Sequence, residues 1–232
     1  MRIAIADDDL EILEQLASVL EGTGHQFDKY RNGNDLIVAL KRETFDVVVA
    51  DWNMPGSTGV DVLKWAKDAI EHPPAFILIT SRAGKSDVVK GLELGATDYI
   101  IKPESSEVIL ARIEAAGRKI VREKPDRFAE FADFKIDRLK QIIEHDGEPV
   151  KLTSKEFSLA LLFFENLNRP LSRSYIFSQI WGGSIDVETR TLDMHVSRVR
   201  SKLGLRPQNG YAIQTVFGFG YRMDKYSEFD ED

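Results

Sequence analysis

The chain contains no cysteine. Disulfides, thiol catalysis and thiolate-ligated zinc are therefore excluded. It also lacks any apolar run of about 18 residues, the length a membrane helix needs. The start, Met1-Arg2-Ile3, leads directly into a strand-like run and shows no signal-peptide pattern. These absences give the expectation of a cytoplasmic protein without a membrane partner. What is present is ordinary for globular protein: 43% hydrophobic and 30% charged residues in a chain of 232. That length predicts one or two domains.

The net charge of −7 is unevenly spread. Residues 1–118 carry 20 acidic and 13 basic side chains. Residues 119–127 carry 4 basic and 2 acidic, and residues 128–225 carry 14 basic and 12 acidic. The tail, 226–232, has 4 acidic side chains and no basic one. The acidic total therefore does not argue against nucleic-acid binding by the second half. Such binding has to rest on local clustering.

The first half alternates short β-branched runs with helical patterns. Strands are predicted at 2–6, 25–30, 46–50, 75–79 and 98–101. Helices are predicted near 9–22, 33–42, 58–69, 85–94 and 105–120. Five such units predict an α/β, doubly wound, five-stranded parallel sheet in the flavodoxin-like manner. In that architecture ligands bind beyond the carboxyl ends of the strands. Polar residues stand at those ends: Asp7 and Asp8 after the first run, Asp51 after the third, Thr80 after the fourth, Lys102 after the fifth. Three carboxylates, a hydroxyl and an ammonium are expected to converge there. An aspartyl carboxylate can attack a phosphoryl group. Asp7, Asp8, Asp51 and the main-chain carbonyl of Asn53 are suited to Mg²⁺, a hard cation that prefers oxygen ligands. Lys102 and Thr80 are suited to phosphoryl oxygens.

Residues alone make Tyr99 a half-buried sheet residue with its hydroxyl at the surface. Trp52 and Met54 read as packing. Gly56 and Gly59 flank a turn and call for no functional account.

Residues 1–118 resemble the receiver domain of two-component response regulators. The resemblance lies in Ala6-Asp7-Asp8-Asp9, Asp51-Trp52-Asn53-Met54-Pro55-Gly56, Leu78-Ile79-Thr80-Ser81 and Gly95-Ala96-Thr97-Asp98-Tyr99-Ile100-Ile101-Lys102-Pro103. It implies Asp51 as phosphoacceptor, a sensor histidine kinase as donor and Thr80 with Tyr99 as a switch pair. It also implies a cis peptide between Lys102 and Pro103. Dimerisation would use the fourth helix, fifth strand and fifth helix, where Lys90, Asp98 and Arg112 match charged positions. The chain departs from the pattern at Ser81 (usually alanine), Glu104 (often phenylalanine) and Val108 (usually glutamate). Arg82 and Asn53 border the path of the attacking water in this family.

Residues 119–127 read as a short linker, and the texture changes beyond it. Strand-like pieces run from Phe131 to Leu152, with a turn at Asp146-Gly147. Thr153-Ser154-Lys155-Glu156 has the spacing of a capping box and opens a helix to about Asn166. Further helices are predicted near 173–181 and 187–203, with a hairpin at 211–223 and a disordered tail. The helix near 187–203 has an apolar face of Leu192, Val196, Val199 and Leu203. It also carries Arg190, Thr191, His195, Arg198, Arg200 and Lys202, residue types that reach bases and phosphates in a major groove.

Residues 128–225 resemble the smaller α+β winged-helix effector domain of OmpR/PhoB-type regulators. The matching stretches include Leu152–Phe157, Leu171-Ser172-Arg173, Trp181-Gly182, Arg190–Leu203 and Gly218-Phe219-Gly220-Tyr221-Arg222. The resemblance implies a recognition helix at 187–203, a wing at 211–223 that includes Arg222, and a loop at Trp181–Val187 able to face RNA polymerase. It implies promoter DNA as partner. Two departures stand out: Phe217, where relatives commonly place an arginine for the minor groove, and Ser197 at a commonly basic position. Both predict a smaller salt dependence of binding. The acidic tail is expected to repel DNA.

The function expected is a phosphorylation-dependent DNA-binding transcriptional regulator that is not an enzyme. Two other readings stand beside it. One is a phosphotransfer enzyme of the dehalogenase type. It needs an acid two residues after the nucleophile, where this chain has Asn53. The other is a DNA-binding protein whose first domain only dimerises, independently of phosphate.

Overall fold

The computed structural model describes residues 1–81, 85–120, 126–182 and 189–226. The chain divides into two compact units, Met1–Glu123 and Lys124–Asp232.

In the first unit, β1 (Arg2–Ala6), β2 (Gln26–Tyr30), β3 (Val47–Asp51), β4 (Ala75–Thr80) and β5 (Asp98–Ile101) form one parallel sheet in the order β2-β1-β3-β4-β5. Alternate strand residues feed opposite faces. Ile3, Ile5, Val47, Val49, Ile77 and Ile79 pack under α1 (Leu10–Leu20) and α5 (Ser106–Ile120). Ala4, Ala6, Val48, Ala50, Phe76 and Leu78 pack under α2 (Gly33–Leu40) and α3 (Gly59–Ala69). With both faces covered, the central strands are apolar throughout. The fourth helix in chain order, α4 (Lys85–Glu93), precedes β5.

Local sequence sets where the helices begin. The Asp9 side chain accepts the Glu11 amide and the Asn32 side chain accepts the Asp35 amide. Thr58 and Asp61 form a reciprocal capping box at α3. Each cap satisfies amide hydrogens that the first helical turn leaves without partners. The chain changes winding direction between the adjacent strands β1 and β3. Asp51 closes β3, and Asp7 follows β1 directly.

The second unit begins with an antiparallel sheet of β6 (Phe128–Phe131), β7 (Phe134–Asp137), β8 (Ile142–His145) and β9 (Glu148–Val150). Asp146 and Gly147 both take positive φ between β8 and β9, as a two-residue hairpin turn requires. Three helices follow: α6 (Ser154–Glu165), α7 (Arg173–Trp181) and α8 (Thr189–Lys202). Strand β10 (Leu171–Ser172) joins β12 (Gly220–Lys225) and β11 (Tyr211–Val216) in a three-stranded sheet, β10-β12-β11. The expected capping box is present: Thr153 and Glu156 exchange hydrogen bonds at the start of α6. Leu192, Val196, Val199 and Leu203 are buried, as their spacing predicted.

Three expectations are corrected. Asp126 and Arg127, placed in the linker, are tied to the second unit: Arg127 pairs with Asp137 at 2.8 Å, and Arg138 donates to the Asp126 carbonyl. Tyr226, placed in the tail, donates its amide to Gly210 at 2.8 Å, and its hydroxyl accepts from Gln214. Tyr99 is buried rather than half-buried. Linker residues 121–125, tail residues 227–232 and Arg82 lie outside the described residues. So does most of the loop expected to face RNA polymerase, 183–188.

Candidate functional site

At the carboxyl edge of the parallel sheet, the Lys102 ammonium lies 2.6 Å from Asp7 Oδ2 and 2.6 Å from Asp51 Oδ1. Adjacent strand ends create this meeting. The Lys102 amide donates to the Thr80 carbonyl at 2.8 Å, which brings the end of β5 against the end of β4. The other Asp51 oxygen accepts the Asn53 amide at 2.6 Å. Asp7 in turn accepts the amide of Asp9. The peptide between Lys102 and Pro103 is cis, as the resemblance implied.

The two groups at the centre respond to burial in different ways. Burial pushes the Asp7 carboxyl above its ordinary pKa, and the Lys102 hydrogen bond only partly reverses this. Burial also works against the charge on Lys102. Hydrogen bonds to Asp51 and Asp7 outweigh it and hold the ammonium above its usual range. Lys102 is thus held as an ammonium between the two carboxylates.

Two of the three expected carboxylates meet at Lys102. Asp8 is exposed. Among the described residues no group of three or more histidine, aspartate or glutamate side chains is drawn together tightly enough to hold a metal ion. The donor chemistry of Asp7, Asp51 and a main-chain carbonyl still suits a hard cation. Lys102 occupies the space between the two carboxylates. Thr80 is buried at the end of β4, in line with the cluster along the sheet edge. The Tyr99 ring packs edge-on against Trp52, with centroids 6.0 Å apart. Both departures beside the site, Ser81 and Glu104, line one cavity of about 260 Å³ that also touches Lys102.

Sequence reasoning gave Gly59 no functional account, and that reading is corrected. A Cβ on Gly59 would lie 2.2 Å from the Asp51 carbonyl oxygen. Only glycine lets the loop after β3 fold this tightly onto the residue that closes the strand. A glycine at the first position of a helix was the available signal, since side-chain caps usually suffice there.

In the second unit, the structure sorts the candidate residues of α8. Arg190 and Arg198 are exposed, and neither has an ion-pair partner among the described residues. Met194 and Ser197 are exposed between them. The other candidates are engaged within the unit. The Arg200 Nε donates to the Ile213 carbonyl at 2.9 Å, and its guanidinium lies over the Tyr221 ring. Lys202 pairs with the buried Glu156 at 2.7 Å. His195 stands edge-on to Trp181, with Nδ1 2.8 Å from the Thr191 carbonyl oxygen, and Thr191 is half-buried. Arg222 pairs with Asp224 in its own strand. These residues were expected at DNA, and helical spacing alone could not separate them from Arg190 and Arg198.

Of the residues expected at a dimer surface, Lys90 is exposed, whereas Asp98 and Arg112 pair with each other at 2.8 Å. Val89, Leu92, Ile101 and Val108 are exposed on the same α4, β5 and α5 elements.

Residues 3–114 match the family model "Response regulator receiver domain", and residues 147–223 match "Transcriptional regulatory protein, C terminal". The sensory transduction protein RegX3 of Mycolicibacterium smegmatis is 32% identical over 226 residues, spanning 96% of this chain and 98% of that protein. The phosphate regulon transcriptional regulatory protein PhoB of Pseudomonas aeruginosa is 30% identical, spanning 97% of this chain and 98% of its own. The chain belongs to the OmpR/PhoB-type two-component response regulators. The response regulator DrrB of Thermotoga maritima, described as an OmpR/PhoB homolog, has a solved structure that aligns at 28% identity over 96% of this chain and 98% of its own, with a TM-score of 0.45. A response regulator of this type is a phosphorylation-dependent transcriptional regulator, and its second unit is a winged helix. In the response regulator described here, α8 is the helix of that winged unit with the exposed arginines, and β11–β12 is its hairpin. No helix among the described residues is long and apolar enough to cross a membrane.

Proposed function

We propose that Asp51 accepts a phosphoryl group from a sensor histidine kinase, and that the phosphorylated chain binds promoter DNA as a dimer. The observation that carries this reading is the contact of Lys102 with both Asp7 and Asp51 at the sheet edge. Asp51 attacks phosphorus through a carboxylate oxygen, and the donor's leaving group departs with the bonding electrons. The developing charge needs neutralising and little else. Lys102 supplies part of that charge as a compact ammonium.

Asp7, Asp8, Asp51 and the Asn53 carbonyl would hold Mg²⁺. The ion would supply the remaining positive charge at the phosphoryl oxygens. Thr80 donates its hydroxyl to the same oxygens, and Tyr99 follows it as the second member of the switch. A phosphoryl group shifts the unit only by interacting better with one of its states than the other. Thr80 and Lys102 are the groups placed to sense it.

Arg190 and Arg198 carry the DNA contact, since they alone of the α8 cations stand exposed without a partner among the described residues. The exposed apolar residues of α4, β5 and α5 favour a receiver dimer held more by burial than by charge. Lys90 remains available to it, while Asp98 and Arg112 are already paired within the chain. Two linked winged helices on adjacent half-sites gain avidity. RNA polymerase remains a partner through the loop after α7. A cytoplasmic location follows from the same reading.

The test is intact mass with a small phosphodonor and Mg²⁺, for wild type and Asp51→Ala, with DNA affinity measured alongside. A phosphoryl adduct on wild type alone, with tighter DNA binding, is expected. An adduct without any change in DNA affinity would detach the chemistry from DNA binding.

A further inference from the structure

The loop of residues 52–58 joins β3 to α3 and follows Asp51 directly. One set of contacts ties it to the site. The Asn53 amide donates to Asp51 at 2.6 Å, and the Gly59 amide returns to the Trp52 carbonyl at 3.1 Å. A second set ties it to the start of α2. The Ser57 hydroxyl donates to Asn34 Oδ1 at 2.8 Å. A Cβ on Gly33, the first residue of α2, would lie 2.0 Å from the Ser57 carbonyl oxygen. A Cβ on Gly56 would lie 2.6 Å from Asn34 Nδ2, and Gly56 takes a φ of +76°. That backbone conformation favours glycine as well.

The surface that receives the loop is itself fixed. Asn32 accepts the Asp35 amide at 2.8 Å and donates to the Asp35 carboxylate at 2.8 Å, so α2 starts at a defined place. Leu36 and Leu40 bury that helix in the core, and Met54 of the loop is buried in the same cluster. The contacts at Asp51 and Gly59 fix the ends of the loop. Those on α2 fix the chain between them. Gly33, Asn34 and Ser57 carry no ionisable group, and what they determine is the path of the loop.

We propose that Gly33, Asn34 and Ser57 are positioning residues for phosphorylation of Asp51. They hold the loop, and with it the Asn53 carbonyl, beside Asp51 for a divalent cation. This rests on the reading of Asp51 as phosphoacceptor with Mg²⁺ at the sheet edge. Mg²⁺ demands near-ideal geometry at about 2.0–2.1 Å, so a donor that wanders loses the ion. A main-chain carbonyl has no side-chain torsion with which to adjust. Only the path of its loop can place it, and a loop is placed best by a rigid neighbouring element. Groups that orient metal ligands without touching the ion change its affinity by about 10–100-fold.

The experiment uses the full, unphosphorylated chain with Mn²⁺ as probe, the free ion being counted by its paramagnetic resonance signal. Thermal melts and phosphoryl uptake from a small donor run beside it. Ser57→Ala and Asn34→Ala are each expected to weaken Mn²⁺ binding about threefold. The double variant should lose about as much as either alone, because both changes remove one hydrogen bond. Ser57→Thr keeps the hydroxyl and should recover the affinity that Ser57→Ala loses. Gly33→Ala displaces the Ser57 carbonyl and should weaken binding by about tenfold or more. Raising the ion concentration should restore phosphoryl uptake in all of them. Asp51→Asn tests the underlying reading and should lose the adduct at any ion concentration. If it does, while the Gly33, Asn34 and Ser57 variants bind Mn²⁺ as wild type, the positioning role is wrong and the reading stands. If wild type takes up neither ion nor phosphoryl group, both fail together. A lower melting temperature with unchanged Mn²⁺ affinity would make these contacts structural only and overturn the proposal. Should Gly33→Ala not fold, the Asn34 and Ser57 variants decide, since Asn34 is exposed and Ser57 half-buried.

Discussion

The Gly59 backbone is pressed against the Asp51 carbonyl so closely that a Cβ there would lie 2.2 Å from the oxygen. The Gly59 amide also donates to the Trp52 carbonyl at 3.1 Å, closing the loop over the residue after Asp51. Gly59→Ala must push the loop away or shift Asp51. Overpacking of this kind costs about 1–3 kcal/mol. Urea unfolding followed by fluorescence should show that loss. Phosphorylation from a small donor should slow as well, because Asp51 would leave its alignment with Lys102. An alanine variant with wild-type stability would show that the loop relaxes freely and does not position Asp51.

Lys102 neutralises two carboxylates at once, so its removal has a predictable pH signature. Lys102→Met leaves Asp7 and Asp51 close together without a cation. Breaking a buried pair in this way costs about 3–5 kcal/mol. Asp7 is already held above its ordinary pKa by burial, and the variant raises it further. A carboxyl with a raised folded pKa contributes stability below its unfolded pKa and loses it as pH rises through the folded value. The deficit of Lys102→Met should therefore be largest near neutral pH and shrink as the solution is acidified. Mg²⁺ should stabilise the variant more than wild type, since the ion no longer competes with the ammonium. Thermal melts across pH, with and without Mg²⁺, check both points. Equal Mg²⁺ responses would remove Asp7 and Asp51 as its ligands.

Glu156 is buried, yet its pKa is lowered. Burial alone would raise it. The hydrogen bonds from Lys202 and from the Thr153 amide and hydroxyl overcome that effect. A lowered folded pKa contributes stability that is present above the unfolded pKa and lost as pH falls through the folded one. The second unit should therefore weaken below the ordinary carboxylate value of 4.5. Glu156→Gln should be less stable than wild type at neutral pH by about 1–3 kcal/mol. The difference should narrow on acidification. Trp181 fluorescence in the melt reports this unit. A constant gap between pH 7 and pH 3 would mean that the ion pair is not the source.

Much of this was legible in the chain. Strand runs such as Val47–Asp51 and Ala75–Thr80 are short, apolar and end in a polar residue, so both their place and their direction could be read. The capping box at Thr153 marked a helix start. The meeting of Asp7, Asp51 and Lys102 followed from strand ends sharing one edge. What could not be read was which cations face outward. Arg198 and Arg200 are two residues apart on one helix, yet one is exposed and the other lies over Tyr221. That difference is made by β11, which is remote in sequence. The two-residue strand β10 was too short to carry a periodic signal. The close approach of Gly59 to Asp51 is a property of packing, at which a glycine opening a helix only hints.

The opposite fates of Arg198 and Arg200 give the sharpest test of the DNA-facing surface. A cation that neutralises one phosphate contributes about 0.9 to the slope of log affinity against log salt. Arg190→Ala and Arg198→Ala should each lower that slope by about this amount and leave the melting temperature nearly unchanged, because both side chains are exposed. Arg200→Ala should do the reverse. It removes the hydrogen bond to the Ile213 carbonyl and the contact with Tyr221, one of the hairpin's ties to α8. Burial also lowers the Arg200 pKa, as expected of a guanidinium facing protein rather than solvent. Stability should drop, and affinity should fall with a slope close to wild type. Salt titrations and melts of the three variants separate the roles. A full unit of slope lost in Arg200→Ala, with no loss of stability, would move that arginine to the DNA and reverse the assignment of this helix's faces.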